Sequence, residues 1–280
     1  MSGAGKTRER RKSPLIRYSR KLRRILRRAA DRFANGEPVD LGDIAHPVAA
    51  RDALELFAAG QHDVFLLQIG ANDGTSTDPV NTILRRGGVK ACLVEPQPPV
   101  FAKLTETYAG TEHVSFENAA IGTSDGEQSL YVLDSEKFSA AGMYLDNLTG
   151  IASFERSHIV EHVARAAKNN IGFGHGISAD DFVRETKVAT ITIETLLTRH
   201  AIEHMDILVT DCEGYDFEIL KQIDFERFNL GLVVFEHVNL PASERFACWR
   251  MLKENGYTIT VTDEDTVAYR NIGKRSRTNP

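Results

Sequence analysis

Between Val64 and Arg270 short apolar runs alternate with helical patterns, and that alternation restricts the fold more than any other feature. Val64–Ile69, Ala91–Val94, Val114–Asn118, Ser129–Leu133, Val188–Ile193, Asp206–Thr210 and Leu230–Phe235 read as strands. Helices are predicted between them. Asp78 followed by Pro79 opens one that runs to Arg86. Pro98–Tyr108, Thr195–His200 and Phe217–Ile223 form others, and Ser243–Asn255 is stopped by Gly256. Strands joined through helices lie parallel, with both faces of their sheet covered. The last two strands, Tyr257–Thr262 and Thr266–Arg270, are too close in sequence for a crossover and must be antiparallel. The expected fold is α/β: a doubly wound, mostly parallel sheet ending in an antiparallel strand.

The chain has 280 residues and 42% apolar content, enough for one sizeable domain with additions. It contains neither an 18-residue apolar run nor an apolar signal-peptide core. Cys92, Cys212 and Cys248 lie far apart, without a CxxC, so a reducing, cytoplasmic setting is expected. Charge is divided unevenly. Residues 1–32 carry 13 Lys/Arg against Glu9 and Asp31, a balance of +11; with −5 overall, the remainder carries −16. An acidic body argues against nucleic-acid binding. Within residues 1–33, Leu22, Ile25, Leu26, Ala29 and Phe33 form a helical stripe among arginines. It suits an anionic membrane surface, a helix packed on the body, or less well a mitochondrial presequence. Residues 34–61 are a linker and lead-in helix, 62–272 the main domain, and 273–280 a tail.

The run "FLLQIGANDGTSTDPV" (65–80) poses the chemical question, because a buried strand gives way to a turn with almost no side chains. A bare corner ahead of a helix lets backbone N–H groups approach a ligand. Glu95 ends the next strand, 25 residues after Gly70, where a carboxylate can accept both hydroxyls of a ribose. Each feature alone is commonly a plain turn or a solvated acid; at this spacing they indicate a ribonucleoside. The corner lacks GxGxxG, and Asp73 would repel a pyrophosphate. A cationic ligand such as S-adenosylmethionine suits it better.

A second constellation is "DILVTDCEGYDFEIL" (206–220), with five acids from Asp206 to Glu218 and no base between them. The helix dipole accounts for Asp216 and Glu218. Asp211 and Glu213 instead face an ammonium, a divalent metal or a hydroxyl proton. Glu236 and His237 end the following strand on the same rim, and His237 is a candidate base. Asp211, Glu236 and His237 also have acceptable ligand types for a metal.

Residues 134–187 are too long for a bare loop and are expected to cap an acceptor pocket, with Tyr144, Phe154, Phe173 and His175 choosing the acceptor. His158 and His162 share a helix face, but no Glu completes HExxH, so a plain capping helix is expected.

Taken together, "LQIGANDG" (67–74), "LVEPQPPVFAKL" (93–104), "FENAAIG" (116–122), "ATITIETLL" (189–197), "DCEGYDFEIL" (211–220) and "FEHVNL" (235–240) resemble the FkbM family of S-adenosylmethionine-dependent methyltransferases. The resemblance implies a Rossmann-like class I methyltransferase fold. It implies that Gly70, Ala71, Asn72, Asp73 and Gly74 wrap the methionine portion. Glu95 would hold the ribose, and Asn118, Ala119 and Ala120 would lie beside the adenine. Asp211 and Glu213 would stand at the transfer centre, and the acceptor would be a hydroxyl of a sugar, glycan or glycosylated natural product. Gln68 departs from the acid common in class I enzymes, so the cofactor's ammonium must find a carboxylate elsewhere. The rival readings are a nucleotide-dependent oxidoreductase and a membrane-associated scaffold with a vestigial pocket.

Overall fold

The computed structural model describes residues 49–59, 63–75, 78–141, 150–170, 178–228 and 230–270. The basic arm, Tyr144, Phe173 and His175 lie outside them. The main sheet holds β1 (Val64–Ile69), β2 (Val89–Val94), β3 (Val114–Glu117), β8 (Ile207–Thr210), β9 (Leu232–Glu236), β10 (Thr258–Val261) and β11 (Asp265–Tyr269). Their order is β10-β11-β9-β8-β1-β2-β3. Pairings among β3, β2, β1, β8 and β9 are parallel, and β11 runs antiparallel to both β9 and β10. The first strand, β1, lies in the middle of the sheet, and the strand order reverses between β1 and β8. That switch opens a crevice at the carboxyl ends of β1, β2 and β8.

Alternation along β1 shows why the sheet is covered twice. Leu66 packs with Leu93 and Val209 under the helices α1 (Ala50–Ala59), α2 (Asn81–Arg86) and α3 (Pro98–Thr107). Leu67 and Ile69 point the other way, into a core with Leu208 and Phe235. A run apolar on both faces, save for Gln68, therefore serves two cores.

The strands expected at 129–133 and 188–193 do not join the main sheet. They are β5 (Gly126–Leu133) and β7 (Val183–Ile191), an antiparallel pair in a separate sheet. That sheet is ordered β4-β7-β5-β6, with β4 (Ala120–Ile121) and β6 (Ala152–Ser153). The polar outward positions of β5 and β7 explain the difference: their burial alternates, whereas β8 is buried at every residue. Between β5 and β7 run α4 (Ser135–Ala140) and α5 (Arg156–Asn170). Ile159 and Val163 anchor α5 against Phe138 and Phe182.

The bare corner after β1 is demanded first by the protein itself. Gly70 has φ +80°, and a Cβ there would overlap the carbonyl oxygen of Asp211. Gly74, φ +65°, would place a Cβ 2.5 Å from Tyr108 Cε2. The N–H groups of Gly70 and Ala71 both donate to the Val94 carbonyl, and that of Asn72 to Glu95 Oε2 at 3.1 Å. Packing against Asp211 and Tyr108 is therefore a reason of its own for the missing side chains, beside any ligand. Gly70→Ala should cost at least about 2 kcal/mol, from left-handed strain plus overlap. Chemical denaturation checks this; loss of cofactor affinity with unchanged stability would contradict it.

Candidate functional site

Glu95 is buried, 3% exposed, at the end of β2. Its Oε2 accepts from Asn72 N and its Oε1 from Gln97 N. Burial pushes its carboxyl up to about 7, against the lowering pull of those amides. Next to it Asn118 Nδ2 donates to the Glu95 and Pro96 carbonyls, and Ala119 begins the turn into β4. These segments form one wall of a cleft of about 210 Å³.

The other wall is the loop after β8. The five acids from Asp206 to Glu218 divide by partner. Asp206 accepts Phe65 N at 2.8 Å, joining the start of β1 to β8. Asp216 is fully buried and accepts Thr210 Oγ1 at 2.6 Å and Cys212 N at 3.3 Å. Glu218 pairs with Lys221 on the surface. Those three are held by protein, whereas Asp211 and Glu213 line the cleft. Glu213 has φ +49°, left-handed backbone at a non-glycine residue, a conformation kept only where neighbours enforce it. Ser153 Oγ donates to its carbonyl, and Asn239 Nδ2 donates both to Glu213 Oε2 at 2.8 Å and to Glu236 Oε2 at 2.7 Å.

Asp211 is surrounded by protein groups yet exposed at the cleft surface. Burial first, and then Glu213, hold its carboxyl well above the usual range. Burial and the Asp211 charge push Glu236 up in the same way.

The insertion closes the cleft. Gly150, Ile151, Ala152, Ser153 and Phe154 line it. Gln97 Nε2 donates to the Gly150 carbonyl at 2.8 Å, and Phe154 stacks edge-on to Tyr215 with centroids 4.9 Å apart.

Of the residues singled out from sequence, Gly70, Asn72, Glu95, Ala119, Ala120, Asp211 and Glu213 line this cleft. Ala71, Asp73, Gly74 and Asn118 support its walls without lining it. Gln68 is buried behind the corner, where its Nε2 donates to Asp78 Oδ1 at 3.0 Å. His237 does not reach the cleft either. It is buried beside Trp249, with Nδ1 3.2 Å from Thr266 Oγ1. The backbone turns after Glu236, as His237 N donates to the Glu264 carbonyl, and the ring goes to the antiparallel edge. The grouping of Asp211, Glu236 and His237 as metal ligands is not assembled. Sequence reasoning missed Gln97, Ser153, Tyr215 and Asn239; the "FEHVN" run held the only signal for Asn239.

Residues 68–259 match the family model described as the methyltransferase FkbM domain. The chain belongs to that family. It is an S-adenosylmethionine-dependent methyltransferase. The FkbM domain begins at Gln68 in β1 and ends at Ile259 in β10, so it takes in both walls of the cleft. Similar solved structures include the FkbM methyltransferase of Methylobacillus flagellatus KT, 10% identical, TM-score 0.46, covering 89% of this chain and 59% of that one. A precorrin-6y C5,15-methyltransferase of Geobacter metallireducens GS-15 is 12% identical, TM-score 0.38, with 79% and 87% covered. Aeropyrum pernix fibrillarin with natively bound S-adenosyl-L-methionine is 11% identical, TM-score 0.38, with 75% and 67% covered. No curated protein sequence matches the chain. The residues present in this FkbM domain fit the cofactor. A buried acid ends β2, apolar Ala119–Ile121 lie beside it, and Asp211 and Glu213 line the same cleft with carboxylates of the charge a sulfonium or ammonium needs.

The acids give the FkbM domain a pH signature. Asp78 and Asp216 are pushed up to about 6 and Glu95 to about 7, chiefly by burial. Their unfolded values lie near ~4, so the folded state keeps protons that the unfolded chain releases. Stability from them is full below ~4 and is lost as pH rises through about 6 to 7. The ligand-free protein should therefore melt lower at about pH 8 than at about pH 5.5, and Asp216→Asn should shrink the difference. Equal melting temperatures in calorimetric scans would contradict this.

Proposed function

We propose that the protein transfers the methyl group to a hydroxyl oxygen of a sugar, glycan or glycosylated small molecule. The observation that carries this reading is the carboxylate rim. Asp211, with its proton affinity raised by burial and by Glu213, sits on the cleft wall across from Glu95. A carboxylate so tuned takes a proton from a hydroxyl better than an ordinary acid does. The lining also supports a polyhydroxylated acceptor: Gln97, Ser153 and Glu213 offer hydrogen bonds, while the Phe154–Tyr215 pair offers an apolar face.

When bound, S-adenosylmethionine supplies a methyl group on a sulfonium already activated for attack. The remaining work belongs to this chain. Glu95 holds the ribose hydroxyls, and Ala119 and Ala120 give the base an apolar floor. Asp211 accepts the acceptor's O–H proton. Residues 150–154 exclude water from the cleft. His237, buried against Trp249, is a packing residue.

The test combines calorimetry with a methyl-transfer screen over sugar and lipid-linked glycan acceptors. Glu95→Gln should weaken cofactor binding by about tenfold or more, one unit of which is ~1.4 kcal/mol. Asp211→Asn should lower kcat by about 10²- to 10⁴-fold with a smaller effect on cofactor affinity. His237→Gln should stay near wild type. Transfer confined to nitrogen or carboxyl acceptors, or a large kcat loss in His237→Gln alone, would overturn the reading.

The basic arm, at +11 over residues 1–32, is read as a docking element for anionic lipid. Deleting residues 1–33 should abolish vesicle co-sedimentation at low salt and leave cofactor affinity intact. Unchanged co-sedimentation refutes it.

A further inference from the structure

The packing of α5 decides what its histidines do. Ile159 and Val163, 0% and 1% exposed, bury one stripe of the helix against Phe138 and Phe182. His158 and His162 precede them by one residue each, so they form the adjacent stripe, turned about 100° away. That stripe meets the loop after β8. His158 Nε2 lies 3.2 Å and His162 Nε2 3.5 Å from the same atom, Glu213 Oε2. The two rings lean on each other with centroids 4.6 Å apart.

We propose that His158, His162 and Glu213 form a binding site for a zinc-class divalent cation that clamps the inserted helix to the loop after β8. The spacing carries it. Ligands about 2.0–2.1 Å from a tetrahedral zinc ion stand about 3.3 Å from each other. The two histidine–carboxylate separations bracket that value, and all three ligand atoms lie within 4.8 Å of one another. A hydrogen-bond account fits less well, because Oε2 would take both imidazoles in addition to Asn239 Nδ2. Two imidazoles and one carboxylate are the ligand types zinc accepts, with one coordination position left over.

The surroundings suit the ion. The three side chains are 16–17% exposed, sheltered yet reachable from solvent. Asn239 orients the carboxylate from outside, and its Oδ1 stands 3.3 Å from His162 Nε2. The left-handed backbone at Glu213 then has a reason, since it aims this carboxylate at α5 rather than along its own loop. The HExxH pattern is absent because the carboxylate comes from another segment, 51 residues after His162. Since Glu213 also lines the cleft, the ion would fix how the insertion sits over it.

The test uses the full, tag-free chain, stripped with chelator and dialysed against zinc. Wild type should retain one equivalent by elemental analysis and melt higher with zinc than without. His158→Ala/His162→Ala should retain none, and Glu213→Gln should bind at least about 10- to 100-fold more weakly by chelator competition. Cobalt added to wild type should give the intense visible bands of a tetrahedral site, a readout independent of how well the variants fold. Wild type retaining no more zinc than the double variant, or cobalt giving only weak octahedral bands, would overturn the proposal. Calorimetry of the stripped and zinc-loaded protein with S-adenosylmethionine keeps the two readings apart: cofactor binding without retained zinc overturns the metal site alone, and retained zinc without cofactor binding overturns the cofactor reading alone.

Discussion

The site depends on the absence of one methylene group. Gly70 lets the end of β1 lie directly against the Asp211 carbonyl at the end of β8. On its other side, the N–H groups of Gly70 and Ala71 converge on the Val94 carbonyl at the end of β2. Three strand ends are thereby drawn to one point. Glu95 and Asp211, far apart in sequence, become opposite walls of one cleft. Any side chain at Gly70 would push those walls apart, so stability and chemistry share one constraint.

The same economy governs the acids. Asp206 and Asp216 are spent on backbone and hydroxyl partners that join β1 to β8 and shape the loop after β8. Asp211 and Glu213 line the cleft, and crowding by protein together with the Glu213 charge holds the Asp211 carboxyl above the usual range. Gathering that much negative charge at one rim costs stability. A cationic ligand or ion bound there would recover it.

Much of this was legible in the sequence. The alternation of strands and helices gave the parallel sheet and its antiparallel end, because periodicity reports burial directly. Glu95 could be placed from spacing alone, as the end of the strand after the glycine turn. What could not be read was direction. His237 follows Glu236 in sequence, yet the strand end turns its ring to Trp249. His158 and His162 looked like plain capping residues, because their partner Glu213 comes from a remote loop. The strands at 126–133 and 183–191 looked like members of the main sheet, because a local pattern does not say which sheet a strand joins. Chain-distant pairings decide these points, and they leave no trace in local composition.

The most direct measurement is a crystal structure of the protein with S-adenosylhomocysteine. The account places the ribose hydroxyls on the Glu95 carboxylate, the adenine beside Ala119–Ile121 and the sulfur toward Asp211. Density for the nucleoside outside the cleft between β2 and β8, or a ribose that leaves Glu95 untouched, would contradict it.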